Sequence, residues 1–251
     1  MDHDLQKALE HFNNKDYEKA IELFEKILES NPDNPRICNN LGVSYYNNQI
    51  FDRAIEYYEK AIILDETLYE TYLNLGFALY GAKDISNAIK NLEIAVKAFP
   101  DNFEAQYTLA KAYYQDAQID RSIEEYEKTV LLNPDHADLR ANLAKAYLDK
   151  DRIDNAISET QKSIELEPEN YRAYYMLGEI YIQDNRIDSA IECFKETAKL
   201  SPNYYYAYRK LGYLYLSKNL KPEAAGMFSI CQELRKDPEI EKLLSKINEG
   251  L

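Results

Sequence analysis

Tryptophan is missing from this 251-residue chain, and glycine, proline, cysteine and histidine are all scarce. Each shortage closes a class of reading. With only 7 glycines and no glycine-rich run, there is no loop of the kind that cradles phosphates. The three histidines, His3, His11 and His136, have neither a nucleophile nor a ligand partner at a useful spacing, so neither a catalytic constellation nor a metal site is expected. Cys38, Cys193 and Cys231 are odd in number and follow no redox or metal spacing. They read as small hydrophobic filler in a reducing compartment, the cytoplasm. No apolar run exceeds five residues, and the start, MDHDLQKALEHF, lacks a basic leader and a continuous apolar core. A soluble protein without a secretion signal is the expectation.

What the chain does have is helix-forming residues, 23 tyrosines and abundant charge of both signs, with 44 acidic against 30 basic residues and a formal net charge of −14. The net negative charge argues against nucleic acid or an anionic membrane as partner.

The dominant feature is a repeat. Asn39 to Ile62, NNLGVSYYNNQIFDRAIEYYEKAI, returns in varied form every 34 residues without insertion or deletion. Units fall at 1–34, 35–68, 69–102, 103–136, 137–170, 171–204 and 205–238, and a tail occupies 239–251. Within each unit the apolar residues recur at helical spacing in two blocks, broken near positions 14 to 17, so each unit reads as a helical hairpin.

Five packing columns define that hairpin. Leucine holds position seven from Leu41 to Leu211, and Gly or Ala holds position eight (Ala8, Gly42, Gly76, Ala110, Ala144, Gly178, Gly212). Ala or Ser holds position twenty, from Ala20 to Ala224. Small residues there let two helices approach closely. Large residues at positions eleven (such as Tyr45 and Tyr113) and twenty-four (such as Phe24, Tyr58 and Phe228) are expected to fill the gaps between neighbouring hairpins. Asp52, Ser86, Asp120, Asp154 and Asp188 are expected to cap the second helices, and Pro32, Pro100, Pro134, Pro168 and Pro202 to end them. Thr160 and Ser163 are polar exceptions where some loosening is expected. In the tail, Ile240, Leu243, Leu244 and Ile247 share one helical face suited to covering the last hairpin.

The pattern resembles the tetratricopeptide repeat family across residues 1–238, with departures mainly at the ends, such as Lys7 and Lys236. The resemblance implies an all-α fold, a right-handed superhelical solenoid of antiparallel helix pairs whose first helices line a concave groove. It also implies inward-facing positions two, five, six, nine, twelve and thirteen. In the second and third units these carry Asn39, Asn40, Tyr46, Asn74 and Phe77, a mixed apolar and amide surface. From the fourth unit onward they carry Tyr107, Lys111, Asn142, Lys145, Arg172, Tyr175, Tyr206, Arg209, Lys210 and Tyr213. Tyrosine with Arg or Lys is a binding composition.

Charge sorts the same way. The first fourteen positions of the seven units hold ten basic and ten acidic residues, so the net charge of −14 lies on second helices, turns and tail. Asn40, Asn74 and Asn142 at position six could each offer a donor and an acceptor to a peptide backbone, while Thr108, Met176 and Lys210 interrupt that ladder. Lys111, Asn142 and Arg172 also match part of the carboxylate clamp found in some family members, although Tyr107 and Met176 depart from it.

The function so implied is a non-catalytic scaffold or adaptor without cofactor or metal, binding a protein or peptide segment in its groove, with acidic character in that partner. The alternatives are a self-assembling scaffold forming homo-oligomers or the targeting module of a larger enzyme complex.

Overall fold

The computed structural model describes residues 2–248. Met1 and the last three residues of the tail, 249–251, lie outside the described residues. The described residues form fifteen α-helices and no strand. They fall into two compact units that divide between residues 133 and 134, each built of antiparallel hairpins.

The first unit holds α1 (Asp2–Asn13), α2 (Tyr17–Ser30), α3 (Pro35–Asn47), α4 (Phe51–Leu64), α5 (Tyr69–Gly81), α6 (Ile85–Ala98), α7 (Phe103–Gln115) and α8 (Ile119–Leu132). The second holds α9 (Ala137–Asp149), α10 (Ile153–Leu166), α11 (Tyr171–Gln183), α12 (Ile187–Leu200), α13 (Tyr205–Ser217), α14 (Lys221–Leu234) and α15 (Pro238–Asn248). The odd-numbered helices up to α13 are the first of each hairpin, and within each unit they pack on the second helix before them, as α3 does on α2 and α13 on α12.

The small and large columns meet inside a hairpin. A Cβ added to Gly42 would come within 2.6 Å of the Tyr58 ring, and one on Gly178 within 2.8 Å of Phe194. Position twenty-four therefore fills the crossing of its own two helices. It also reaches the next helix along, since Phe194 clusters with Leu211 and Leu214 of α13 and Phe228 with Ile240 of α15, so it serves both contacts. Position eleven bridges neighbouring hairpins too: the Tyr45 hydroxyl on α3 donates to Glu25 on α2 at 2.5 Å, and Tyr113 on α7 donates to Glu93 on α6. Alanine at position twenty is fully buried throughout, and Ser122 in that column donates its hydroxyl to the Ala110 carbonyl at 2.9 Å. Thr160 and Ser163 are equally buried and equally satisfied, bonding the Ala156 and Ala137 carbonyls at 2.7 and 3.0 Å.

Helix ends differ from the sequence expectation in one respect. Asp52, Asp120, Asp154 and Asp188 lie inside the first helical turn, where they favour the positive end of the helix dipole, and the cap position itself is held by Ile50, Gln118, Arg152 and Arg186. Ser86 likewise lies one residue inside α6, which Asp84 caps. Side-chain caps concentrate instead on first helices, at Asn34, Asn102, His136 and Asn170. The five prolines stand one residue past the final cap of their second helices, as after Asn31, Phe99 and Asn133, while Glu66 and Lys236 take that place after α4 and α14.

Every first helix ends on a left-handed residue: Lys15, Gln49, Lys83, Ala117, Asp151, Asn185 and Asn219, with φ between 57° and 70°. The residue after it closes the turn by donating to a carbonyl five residues back, as Ile50 does to Tyr45 at 2.9 Å. Glycine is the residue that suits this conformation, and it stands at none of the seven positions.

The tail helix α15 copies a first helix in a shifted register. The third residue of each preceding first helix from α3 onward is buried (Ile37, Thr71, Ala105, Leu139, Ala173, Ala207), and so is Ile240, third in α15, at 0% exposure. It packs with Phe228 and Cys231 of α14, and Leu243, Leu244 and Ile247 flank it.

Candidate functional site

The positions expected to face inward are joined to one another along the first helices of each unit. In the first unit, Asn39 on α3 accepts hydrogen bonds from the Asn74 amide and the Thr71 hydroxyl of α5, both at 3.1 Å. Further along the same face Gln115 of α7 donates to the Tyr80 hydroxyl of α5 at 2.6 Å. Asn39 and Asn74 thus spend part of their hydrogen-bonding capacity on each other. Asn40 makes no side-chain hydrogen bond among the described residues and borders a cavity of about 490 Å³ with Arg36, Asn39 and Tyr69.

Other first-unit candidates are less accessible. Tyr46 is half-buried, its ring edge-on to Phe51 at 5.6 Å, and burial raises its hydroxyl pKa. Phe77 is half-buried and packs against the core. Tyr107 is only 9% exposed, with its ring against Phe103 and Tyr126 at 5.6 and 6.1 Å. Lys111 lays its ammonium over that ring at 4.4 Å and over Tyr80 at 5.5 Å, and burial lowers its pKa. Tyr107 therefore acts as a platform for Lys111 and offers little surface of its own.

The second unit gathers its candidates more tightly. Tyr206, Arg209, Lys210 and Tyr213 of α13 line one depression of about 360 Å³, with Ile182, Ile187, Leu214 and Ser217 completing it. Tyr206 is 48% exposed. Lys210 pairs with Glu179 of α11 at 2.9 Å. The Arg209 Nη2 meets Glu239 of α15 at 3.0 Å, Tyr213 donates its hydroxyl to the same carboxylate at 2.7 Å, and the guanidinium lies over the Tyr213 ring at 5.3 Å. The Arg209 Nε is buried and has no hydrogen-bond partner among the described residues.

Tyr175 lies among its neighbours, edge-on to Phe194 at 5.2 Å and to Tyr204 at 5.4 Å, and burial raises its hydroxyl pKa. Arg172 is exposed and lies over Tyr171 at 5.4 Å. Asn142 is half-buried and Lys145 exposed on α9. Two participants escaped the sequence reading. Tyr204 joins Tyr171, Tyr175 and Tyr206 in a ring cluster, for which the run NYYYAY from 203 to 208 was the available signal. Glu239 was read as part of a plain amphipathic tail, and only the register of α15 reveals where it points.

Among the described residues no group of His, Cys, Asp and Glu is arranged to hold a metal ion, and no helix is long and apolar enough to cross a membrane.

Family models described as tetratricopeptide repeat match residues 5–68 and 160–192, and one described as TPR repeat matches 178–219. A model described as anaphase-promoting complex, cyclosome, subunit 3 matches 81–163. Among solved structures, MamA is 30% identical, with 64% of this chain and 95% of that one covered and a TM-score of 0.63. YrrB, described as a TPR protein with an unusual peptide-binding site, is 22% identical over 76% of this chain and 98% of its own, with a TM-score of 0.69. The C-terminal part of a TPR repeat-containing protein from Cytophaga hutchinsonii is 20% identical over 94% of this chain and 98% of its own, with a TM-score of 0.82. A search of the curated proteins found no match.

Proposed function

The chain belongs to the tetratricopeptide repeat family, a family of protein-interaction scaffolds, and from that premise we propose that it holds a segment of another protein against its first helices without catalysing a reaction. The seven 34-residue units and the capping tail are its proposed parts, and no cofactor or metal enters the proposal.

One observation carries this reading. Tyr206, Arg209, Lys210 and Tyr213 converge on a single depression with an aliphatic floor, where most surface positions on a solvated helix carry scattered charge. Aromatic rings and guanidinium groups around a desolvated pocket are what concentrates binding energy. Two cations at the rim favour an acidic segment. Asn40, which borders the first-unit cavity, and Asn74, bonded to Asn39 at its edge, are proposed to contact the backbone of an extended segment, as side-chain amides can do whatever the sequence bound. The scaffold contributes by being rigid, so that little of its own freedom is lost on binding.

The test is affinity capture from the native organism with the intact chain, with Tyr206→Ala/Arg209→Glu, and with Lys195→Glu on α12 as a control. Proteins held by the intact chain and the control but lost by the double variant support the reading. Retention by all three would remove these residues from the site. In parallel, a mass by light scattering that climbs with protein concentration would favour self-assembly over adaptor function.

A further inference from the structure

Glu239 occupies a position with two properties that do not ordinarily coincide. It belongs to the helix that seals the last hairpin, and it faces the residues proposed to bind a partner. The cause is register. Because Ile240 takes the buried third place of a first helix, Glu239 falls in the second place, the one that from α3 to α13 carries Arg36, Glu70, Glu104, Asp138, Arg172 and Tyr206. From there its carboxylate takes the Tyr213 hydroxyl on one oxygen and the Arg209 Nη2 on the other.

We propose that Glu239 is a built-in stand-in for a ligand carboxylate: it fills on Arg209 and Tyr213 the place that an Asp or Glu side chain of the bound segment takes, while the neighbouring apolar residue of that segment enters the depression over Ile182, Ile187 and Leu214. This deepens the function proposed above and rests on it. Three observations favour that occupant. Glu239 is 60% exposed, so its contact is open to water and readily exchanged. Glu239 engages only the Nη2 of the guanidinium fork and leaves the buried Arg209 Nε unpartnered, so a carboxylate that displaces Glu239 and lets the guanidinium turn outward can take Nε and Nη2 side by side. Lys210, which lines the depression and pairs with Glu179 of α11, adds a second cation at a rim whose floor is aliphatic. An apolar side chain beside a carboxylate matches that arrangement of floor and rim.

The protein has no tryptophan, so the indole fluorescence of a tryptophan-bearing probe reports binding alone. The probe is the acetylated, amidated peptide Gly-Glu-Trp-Glu-Gly, titrated against the full chain beside its Gln and Lys counterparts. Removing the internal competitor in Glu239→Gln should tighten the acidic probe by about three- to fivefold, the scale of one exposed ion pair, and leave the Gln probe unchanged. Arg209→Gln should weaken the acidic probe by about tenfold or more, and Glu239→Gln added to it should then have no effect. Helix content and melting temperature of each variant confirm that α15 stays docked. If Glu239→Gln leaves the acidic probe unchanged while Arg209→Gln still weakens it, the stand-in role is overturned and the site survives. If neither intact nor variant protein prefers the acidic probe, both are overturned.

Discussion

Gly212 of α13 lies under the ring of Phe228 in α14 so closely that a Cβ on it would come within 2.4 Å of a ring carbon. The contact fixes how near the two helices of that hairpin approach. Alanine is a better helix former by about 1 kcal/mol, yet forcing an extra carbon against a fully buried ring costs about 1–3 kcal/mol. Gly212→Ala should therefore lower stability. Gly226, also within α14, meets nothing within 4 Å of its own would-be Cβ, so Gly226→Ala should raise stability by about 0.5–1 kcal/mol. Urea midpoints of the two variants should move in opposite directions.

The left-handed turn residues predict the reverse substitution. Gln49 and Ala117 hold φ at 61° and 59°, a conformation that costs a side chain about 1–2 kcal/mol relative to glycine. Gln49→Gly and Ala117→Gly should each stabilise by about 1 kcal/mol, whereas Asn219→Gly should change little, because asparagine tolerates the left-handed region. Melting temperature is the readout, and a fall for both Gln49→Gly and Ala117→Gly would contradict the turn geometry.

Alkali should loosen the first unit through its tyrosines. Burial, and then the hydrogen bond to Glu25, pushes the Tyr45 hydroxyl from 10 up to about 12, and Tyr113 beside Glu93 is raised for the same reasons. A folded pKa above the unfolded one means that the stabilisation is complete below pH 10 and fades as pH climbs toward 12. Arg53 over Tyr45 and Arg121 over Tyr113 temper the effect without reversing it. In thermal melts across that range, Tyr45→Phe should show a shallower decline than the parent, and parallel declines would sink the assignment.

The three thiols should be silent in the folded protein. Cys38, Cys193 and Cys231 are buried and unpaired, and loss of hydration raises each thiol pKa, Cys193 and Cys231 to about 11. Thiolate is the reactive form, so a colourimetric disulfide reagent at neutral pH should label none of them until denaturant is added. Fast labelling of any one in native buffer would show that its helix opens locally.

Most of the frame could be read from the sequence, because a packing device repeated every 34 residues announces itself: the Gly and Ala columns, the buried alanines and the prolines each occupy the place their chemistry demands. What escaped was governed by single residues of register and by distance. Asp52 and its equivalents look like caps, yet stand two residues past the actual cap, a difference that composition does not encode. Seven left-handed turns went unannounced because none carries glycine. In the candidate site, the columns pointed to one set of first-helix positions, but sequence spacing gives no burial, so Tyr107 and Tyr175 looked as available as Tyr206. Glu239 was invisible as a partner of Arg209 because thirty residues and two turns separate them.

Ile240 also bears on how such a chain can lengthen. Its side chain covers the apolar face left by Phe228 and Cys231, the face onto which another hairpin would otherwise be built. A duplicated unit spliced in just ahead of Pro238 would inherit a neighbour on either side, whereas the same unit joined behind α15 would meet a polar surface and find nothing to stack on. An added unit therefore keeps its packing where it enters ahead of α15, with Ile240 passing from the face of Phe228 and Cys231 to the equivalent face of the newcomer.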